Sequence, residues 1–308
     1  MSSTTTGREA VRRERPLPDG MTVSDHPLPS IGIETPQCTG SVLRQGAHVL
    51  EWAPASTGPV LWVSSKAEFQ PGHEVRGGVP VCFPWFGAGV DGHRKPSHGV
   101  ARTSTWQLIE SGMPEGVGHL LFQLTSSDIA DGPDPDALPG GAAAYLSVGM
   151  ADTLRIDLTV QAGTEEFTFE EALHTYFSVG DLKRVSVEGL DGLDYLDKTE
   201  GFAQHTQDGD VTFDGEVDRI YEHSGRARIV DPLLQRTVTV AKRNSASTIV
   251  WNPGADKATS IPDVEDAAWS GFVCVETGNV REHAITLRPG ESHTMTMVVD
   301  VALHPQAD

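Results

Sequence analysis

Two residues about a hundred positions apart could form a general acid/base set: His174 within EEALHTYFSV and Glu276 within FVCVETGNV. An imidazole and a carboxyl projected into one cleft can protonate one oxygen while taking a proton from another. Each lies in a short run that alternates like a β-strand. In the first run Ala172, His174, Tyr176 and Ser178 share one face, and Leu173, Thr175 and Phe177 the other. The larger apolar residues Leu173 and Phe177 suit a core, which leaves the His174 face smaller and more polar. In the second run Phe272, Cys274 and Glu276 share a face opposite Val273, Val275 and Thr277. A carboxyl entering a partly dry pocket has its pKa pushed up, toward the range useful for a base. The plainer alternatives are a histidine hydrogen-bonded inside a sandwich and a strand-end carboxylate in solvent. On strand pattern alone both remain open.

Two further segments carry positive charge. RGGVPVCFPWFG, residues 76–87, places Arg76 before two glycines that allow positive φ or close backbone approach to a ligand. It ends in a rigid turn whose Trp85 and Phe86 could stack on a sugar ring or simply plug one end of the fold. SHGVARTSTW, residues 97–106, sets His98 and Arg102 four apart around a glycine. Guanidinium forks match phosphate oxygens, so Arg76 and Arg102 could converge on one phosphate. Arg94 and Lys95 lie between them, where a solvated basic loop is the simpler reading.

Strands must position these groups. Candidates from SVLRQGAHVLEWAP through VLWVSS, HLLFQLTSS, AAYLSVGMAD, TLRIDLTVQAG, FTFEEALHTYFSVG and RTVTVAKRNSASTIVWNP to HTMTMVVDVAL alternate and are bounded by Gly, Pro, Asp or Asn. Long helical periodicity is almost absent. The fold class expected is all-β, a large antiparallel sandwich with few short helices. Residues 1–28 form a polar, loosely ordered leader in this reading, with a short helix around Arg8 to Arg15, and residues 29–308 form a single domain. SSDIADGPDPDALPGGA reads as a surface connection. GADKATSIPDVEDAAWSG, just before the Glu276 strand, is placed to shape a cleft.

The chain has 308 residues, enough to bury a core without disulfides or metals. Its 43 acidic and 23 basic residues give a formal charge of -20. That field repels nucleic acid and anionic membranes, so a phosphate ligand needs a local basic cluster. The three cysteines, Cys38, Cys82 and Cys274, are odd in number and widely spaced. Free thiols in a reducing compartment are expected, and the absence of a secretory h-region agrees with a cytoplasmic protein. No dinucleotide fingerprint, P-loop, nucleophile elbow or convincing metal-ligand spacing occurs.

Taken together, RGGVPVCFPWFG, HGVAR, EALHTYFSV, YLDKT, VWNP and FVCVETG occur in that order. The set resembles the glucose-6-phosphate 1-epimerase (hexose-6-phosphate mutarotase) branch of the aldose 1-epimerase superfamily, over roughly residues 30 to 300. The resemblance implies a galactose-mutarotase-like β-supersandwich with its site on the concave face. It places the catalytic roles on His174 and Glu276, phosphate and sugar binding on Arg76 and Arg102 with His98 beside them, and a substrate contact on Asp197 of YLDKT. A glutamine that can precede HGxAR is Ser97 here, and VETG stands where many relatives have VEPG.

The reaction implied interconverts α and β anomers of a hexose 6-phosphate. Glu276 takes the proton of the anomeric hydroxyl, and His174, as imidazolium, protonates the ring oxygen. No metal or cofactor is required, the partner is a small-molecule sugar phosphate, and a monomer is expected. An aldose 1-epimerase for free hexoses would keep the acid/base pair without needing the arginines. A non-catalytic sugar or sugar-phosphate binder would need neither member of the pair. A glycosidase would need a second carboxylate flanking the scissile bond.

Overall fold

The computed structural model of the chain describes residues 16–305. Alternation sets its architecture. In Gly118–Thr125 and Ala143–Met150 every second side chain is buried: Leu120, Phe122 and Leu124 in one, Ala144, Leu146, Val148 and Met150 in the other. Strands with this period bury one face only, so each sheet must lie against another. Two eight-stranded sheets do so, joined by a four-stranded sheet over residues 21–54 and a two-stranded ribbon. Every strand pairing within them is antiparallel. The all-β sandwich expected from the sequence is the architecture observed.

One eight-stranded sheet carries the site. Its order runs Ala203–Thr206, Asp194–Asp197, Val217–Glu222, Ser247–Asn252, Phe272–Asn279, Glu171–Leu173, Val81–Cys82, and Tyr176–Ser178 also pairs with Phe272–Asn279. Leu173, Phe177, Tyr221, Val250, Val273 and Val275 point from this sheet into the main core. There they meet Leu120, Leu146, Ile156, Met295, Met297 and Val299 of the other large sheet. The opposite face of the site sheet carries two smaller clusters, one around Cys82, Phe86, Ala172 and Ile249, the other around Tyr176, Phe272 and Cys274. Phe272–Asn279 is buried along its whole length, because strands flank both its edges and side chains cover both its faces.

Several expected strands are divided. SVLRQGAHVLEWAP is a hairpin, Cys38–Leu43 and His48–Pro54, turned at Gly46 and Ala47, both with positive φ. FTFEEALHTYFSVG becomes Phe167–Phe169, Glu171–Leu173 and Tyr176–Ser178. RTVTVAKRNSASTIVWNP is Arg236–Arg243 and Ser247–Asn252, turned at Asn244. VLWVSS contributes only isolated bridges, Leu61 to Phe177 and Val63 to Gly77.

The leader expected over residues 1–28 needs correction at its end. Met21–Ser24 is a strand paired with Ser30–Glu34, and Met21 and Leu28 are buried. One apolar residue at each of these positions suffices to hold the segment on the sheet edge. The helix expected around Arg8 to Arg15 lies outside the described residues. Among the described residues no helix is long and apolar enough to cross a membrane.

The glycines of RGG serve backbone packing rather than ligand approach. Gly77 has φ 119° and Gly78 φ 61°. A Cβ at Gly77 would lie 2.4 Å from both Trp62 O and Val63 Cα, and one at Gly78 would lie 2.4 Å from Val49 O. Gly77→Ala is therefore expected to destabilise the fold by about 2–3 kcal/mol. Thermal unfolding of the purified variant checks this as a fall in Tm of about 5 °C or more.

Candidate active site

The register of one strand brings the acid/base candidates together. On Phe272–Asn279, Leu173 pairs with Thr277 and Tyr176 with Cys274. His174 therefore stands across from Glu276, and the Val275 N–H donates to the Thr175 carbonyl between them at 3.3 Å. His174 Nε2 lies 3.5 Å from Glu276 Oε1. His174 is only 7 % exposed and Glu276 1 %. His174 Nδ1 and Glu276 Oε2 are buried without a hydrogen-bond partner. Unsatisfied buried polar atoms are costly, and an active site is where they are retained.

The other edge of the His174 segment rests on the RGG segment. The His174 N–H donates to Pro80 O and the Tyr176 N–H to Gly78 O, both at 2.9 Å. Beyond it the HGVAR segment follows, with Ala101 N–H donating to Phe83 O at 3.1 Å. Three stretches far apart in sequence thus stack side by side, which brings Arg76, His98 and Arg102 around His174.

Charge and burial set the protonation of the pair. Burial holds His174 well below the ordinary histidine range, and Arg76, Arg102 and Lys198 push the same way. Burial holds Glu276 well above the ordinary carboxylate range, with Lys198 opposing and Asp218 adding to the rise. Both shifts run toward the uncharged forms, a neutral imidazole and a protonated carboxyl. Three cations and a dry pocket thus oppose the imidazolium form expected for His174 as the proton donor.

Each arginine already has carboxylate company. Arg76 Nε meets Asp263 Oδ2 at 3.0 Å, and its Nη1 donates to the Tyr176 hydroxyl at 3.0 Å. Arg102 Nη2 meets Glu74 Oε2 at 2.9 Å and donates to Ser97 O at 2.8 Å. The Arg102 Nε is buried without a partner. A cleft of about 960 Å³ opens beside this group, with Glu74, Arg76, Pro96 and Ser260 to Asp263 among its walls. Neither His174 nor Glu276 lines it. Arg76 stands between, facing the cleft and contacting Tyr176 beneath. The connection GADKATSIPDVEDAAWSG supplies one wall, as its position suggested.

His98 is half-buried, with its ring centroid 5.6 Å from that of His174. Burial first, then Arg102, lowers it well below the ordinary range. Its Nδ1 accepts the Gly87 N–H at 3.3 Å. The neutral ring then carries its proton on Nε2, which makes it a donor.

Three expected contacts resolve differently. Asp197 caps the turn Lys198–Glu200, its Oδ1 accepting Thr199 N at 2.9 Å and Thr199 Oγ1 at 2.6 Å, while Oδ2 faces Arg219 at 3.6 Å. Its Oδ1 is thus engaged in shaping this turn, and its Oδ2 faces a cation. Trp85 is 4 % exposed, donates to Pro96 O at 2.8 Å and has Arg94 across its ring. It packs in the core and presents little surface. Phe86 does border the site, with His98 edge-on and Lys198 Nζ 5.3 Å from its ring.

Lys198, Asp218 and Trp251 were missed. Lys198 Nζ pairs with Asp218 Oδ2 at 2.8 Å, and Asp218 Oδ1 is buried without a partner. Asp218 aligns with Trp251, and Trp251 with Cys274. Trp251 meets His174 edge-on at 5.7 Å. Lys198 follows the aspartate of YLDKT, and Trp251 lies in VWNP, so both motifs were in view while the side chain that faces the site was not. Among the described residues no group of three His, Cys, Asp or Glu is spaced to hold a metal ion.

Comparison with known proteins settles the family. Aldose 1-epimerase is the family whose pattern the chain matches, over residues 29–300. The chain belongs to the aldose 1-epimerase family. It is an isomerase of the class that interconverts sugar anomers. A relative from Escherichia coli K12, provisionally named glucose-6-phosphate 1-epimerase, is 37 % identical over 83 % of this chain and 84 % of its own. One from Cenchrus ciliaris with the same provisional name is 33 % identical over 82 % and 78 %. The solved structure of YeaD from Salmonella typhimurium, provisionally named a mutarotase, superposes with a TM-score of 0.82 at 32 % identity, covering 90 % of this chain and 91 % of that one.

Within this family member the two aspartates should separate cleanly. Asparagine caps helical turns as well as aspartate does, so Asp197→Asn is expected to keep KM within about twofold. Asp218→Asn removes the charged partner of Lys198 and should lower kcat/KM at least about tenfold. Steady-state anomer exchange on the two variants tests both expectations, and a large KM rise in Asp197→Asn would return that residue to the substrate site.

Proposed function

We propose that this protein interconverts the α and β anomers of hexose 6-phosphates, with His174 and Glu276 transferring the protons and Arg76 and Arg102 holding the phosphate. The observation that supports this most is the paired placement of His174 and Glu276 across adjacent strands, each with an unpartnered buried atom. The arginines, gathered in a chain of net charge -20, favour a phosphorylated over a free sugar. The provisional names of the E. coli and Cenchrus relatives agree with that choice.

The ionised Glu276 takes the proton from the anomeric O1 while protonated His174 gives one to the ring oxygen O5. The C1–O5 bond breaks, and the electrons of the former O1–H bond form the aldehyde. Rotation about C1–C2 presents the other carbonyl face, and closure returns both protons. After opening, the pair is a protonated carboxyl and a neutral imidazole, the state that the free site favours. O1 and O5 are bonded to one carbon, so two side chains 3.5 Å apart suit them. One positioned proton-transfer group supplies about 10²- to 10⁴-fold, and two with orientation suffice for this reaction. The three cysteines are unpaired and buried, which fits a reducing cytoplasmic setting.

Glu276→Gln keeps the shape and removes the base. Anomer exchange followed by polarimetry or NMR should fall at least about 10²-fold, and near-normal exchange would reject Glu276 as the base. The same variant has a stability signature. The folded pKa of Glu276 is raised, so the native state binds the extra proton. Its stabilising effect is full below the unfolded carboxylate value and is lost as pH rises through the folded value. Glu276→Gln should therefore melt higher than wild type above that window and lose its advantage below about pH 4.

Arg76→Ala and Arg102→Ala should raise KM for glucose 6-phosphate by about tenfold or more, with little change in KM for free glucose. Equal changes for both sugars would remove these residues from the phosphate site.

A further inference from the structure

Tyr176 touches both ends of the site. Its hydroxyl accepts Arg76 Nη1 at 3.0 Å. Its ring lies flat against that of His174, with centroids 4.9 Å apart and planes 9° apart. Trp62 stacks nearby at 5.8 Å, Phe272 stands at 5.4 Å and Trp251 meets it edge-on at 6.0 Å. The backbone is held as well, since Tyr176 N–H donates to Gly78 O at 2.9 Å and Tyr176 O accepts Trp62 N–H at 3.0 Å. At 2 % exposure the side chain has no room to turn without displacing Arg76, His174 or both. The proton transfers themselves make no use of it.

We propose that Tyr176 is a positioning residue that couples the phosphate-binding arginine to the acid/base pair, its hydroxyl setting Arg76 and its ring setting the plane of His174. The inference rests on the reading of Arg76 as a phosphate ligand. His174 is faced by Glu276 from the neighbouring strand, by His98 and Arg102 from the HGVAR segment, by Arg76 from the RGG segment and by Lys198 from the capped turn. After burial, Arg76 is the first of the charges that oppose protonation of the imidazole. A phosphate dianion on Arg76 offsets that charge. With that charge offset, a protonated His174 beside an ionised Glu276, the arrangement that ring opening requires, is less disfavoured. Tyr176 holds Arg76 where this offset reaches the imidazole.

Tyr176→Phe keeps the ring and removes the hydroxyl. KM for glucose 6-phosphate is expected to rise about tenfold, the cost of one hydrogen bond to a charged group. Because the ring still supports His174, kcat should change less than about threefold. A second readout follows the coupling directly. In protein labelled with ¹⁵N-histidine, the His174 ring signals, assigned by their loss in His174→Asn, should shift on titration with inorganic phosphate. In Tyr176→Phe the shift at saturation should fall to about half or less. Either readout at its wild-type value overturns the coupling, as does a fall in kcat that matches the rise in KM. Arg76→Ala measured alongside separates the two claims. If it raises KM and Tyr176→Phe does not, only the role of Tyr176 fails; if neither does, the phosphate reading fails with it.

Discussion

The register between Phe272–Asn279 and the two short strands beside it governs the site. Antiparallel neighbours place the Cβ atoms of opposite residues about 4.5–5.5 Å apart. A shift by one residue would turn Glu276 into the core and Val275 toward the ligand face. The shift is resisted on the core side, where Leu173, Phe177, Val273 and Val275 are buried against the other large sheet. Glu171 adds a polar lock: it is fully buried, and its Oε1 accepts Asn279 Nδ2 at 2.8 Å and faces His293 Nε2 at 3.1 Å. The same alternation that fills the core therefore aims His174 and Glu276 at one another.

Around this pair the protein gathers cations and gives each a carboxylate. Arg76 has Asp263, Arg102 has Glu74 and Lys198 has Asp218. An unpaired charge so close to a dry pocket would be costly. The pairing keeps the cations in place in the free protein, while their field still bears on His174. In the reading proposed above, a phosphate beside Arg76 would share it with Asp263.

Much of this was legible in the chain. Period-two alternation marked the strands, and the faces assigned to Ala172–Ser178 and Phe272–Thr277 hold: the side of Ala172, Tyr176, Phe272 and Cys274 looks to the site, and that of Leu173, Phe177, Val273 and Val275 to the core. The ordered motifs named the family and pointed to His174, Glu276, Arg76 and Arg102. Where motif reading failed, it failed in side-chain direction. Asp197 and Lys198 are adjacent in YLDKT, yet one caps a turn and the other reaches Asp218. Trp85 and Phe86 are adjacent in FPWFG, yet one fills the core and the other borders His98. Adjacent residues in irregular backbone point in unrelated directions, and no periodicity reports them.

By itself, then, the sequence determined the all-β class, the faces of the strands and the residue types able to move a proton or hold a phosphate. These depend on local alternation and composition, which a chain carries without reference to its distant parts. Only the tertiary structure decided that His174 and Glu276 stand 3.5 Å apart, that burial shifts both toward their uncharged forms and that one tyrosine touches both the imidazole and Arg76. Distance, burial and field are properties of segments brought together across about a hundred residues of chain, and they exist only once the sheet has closed.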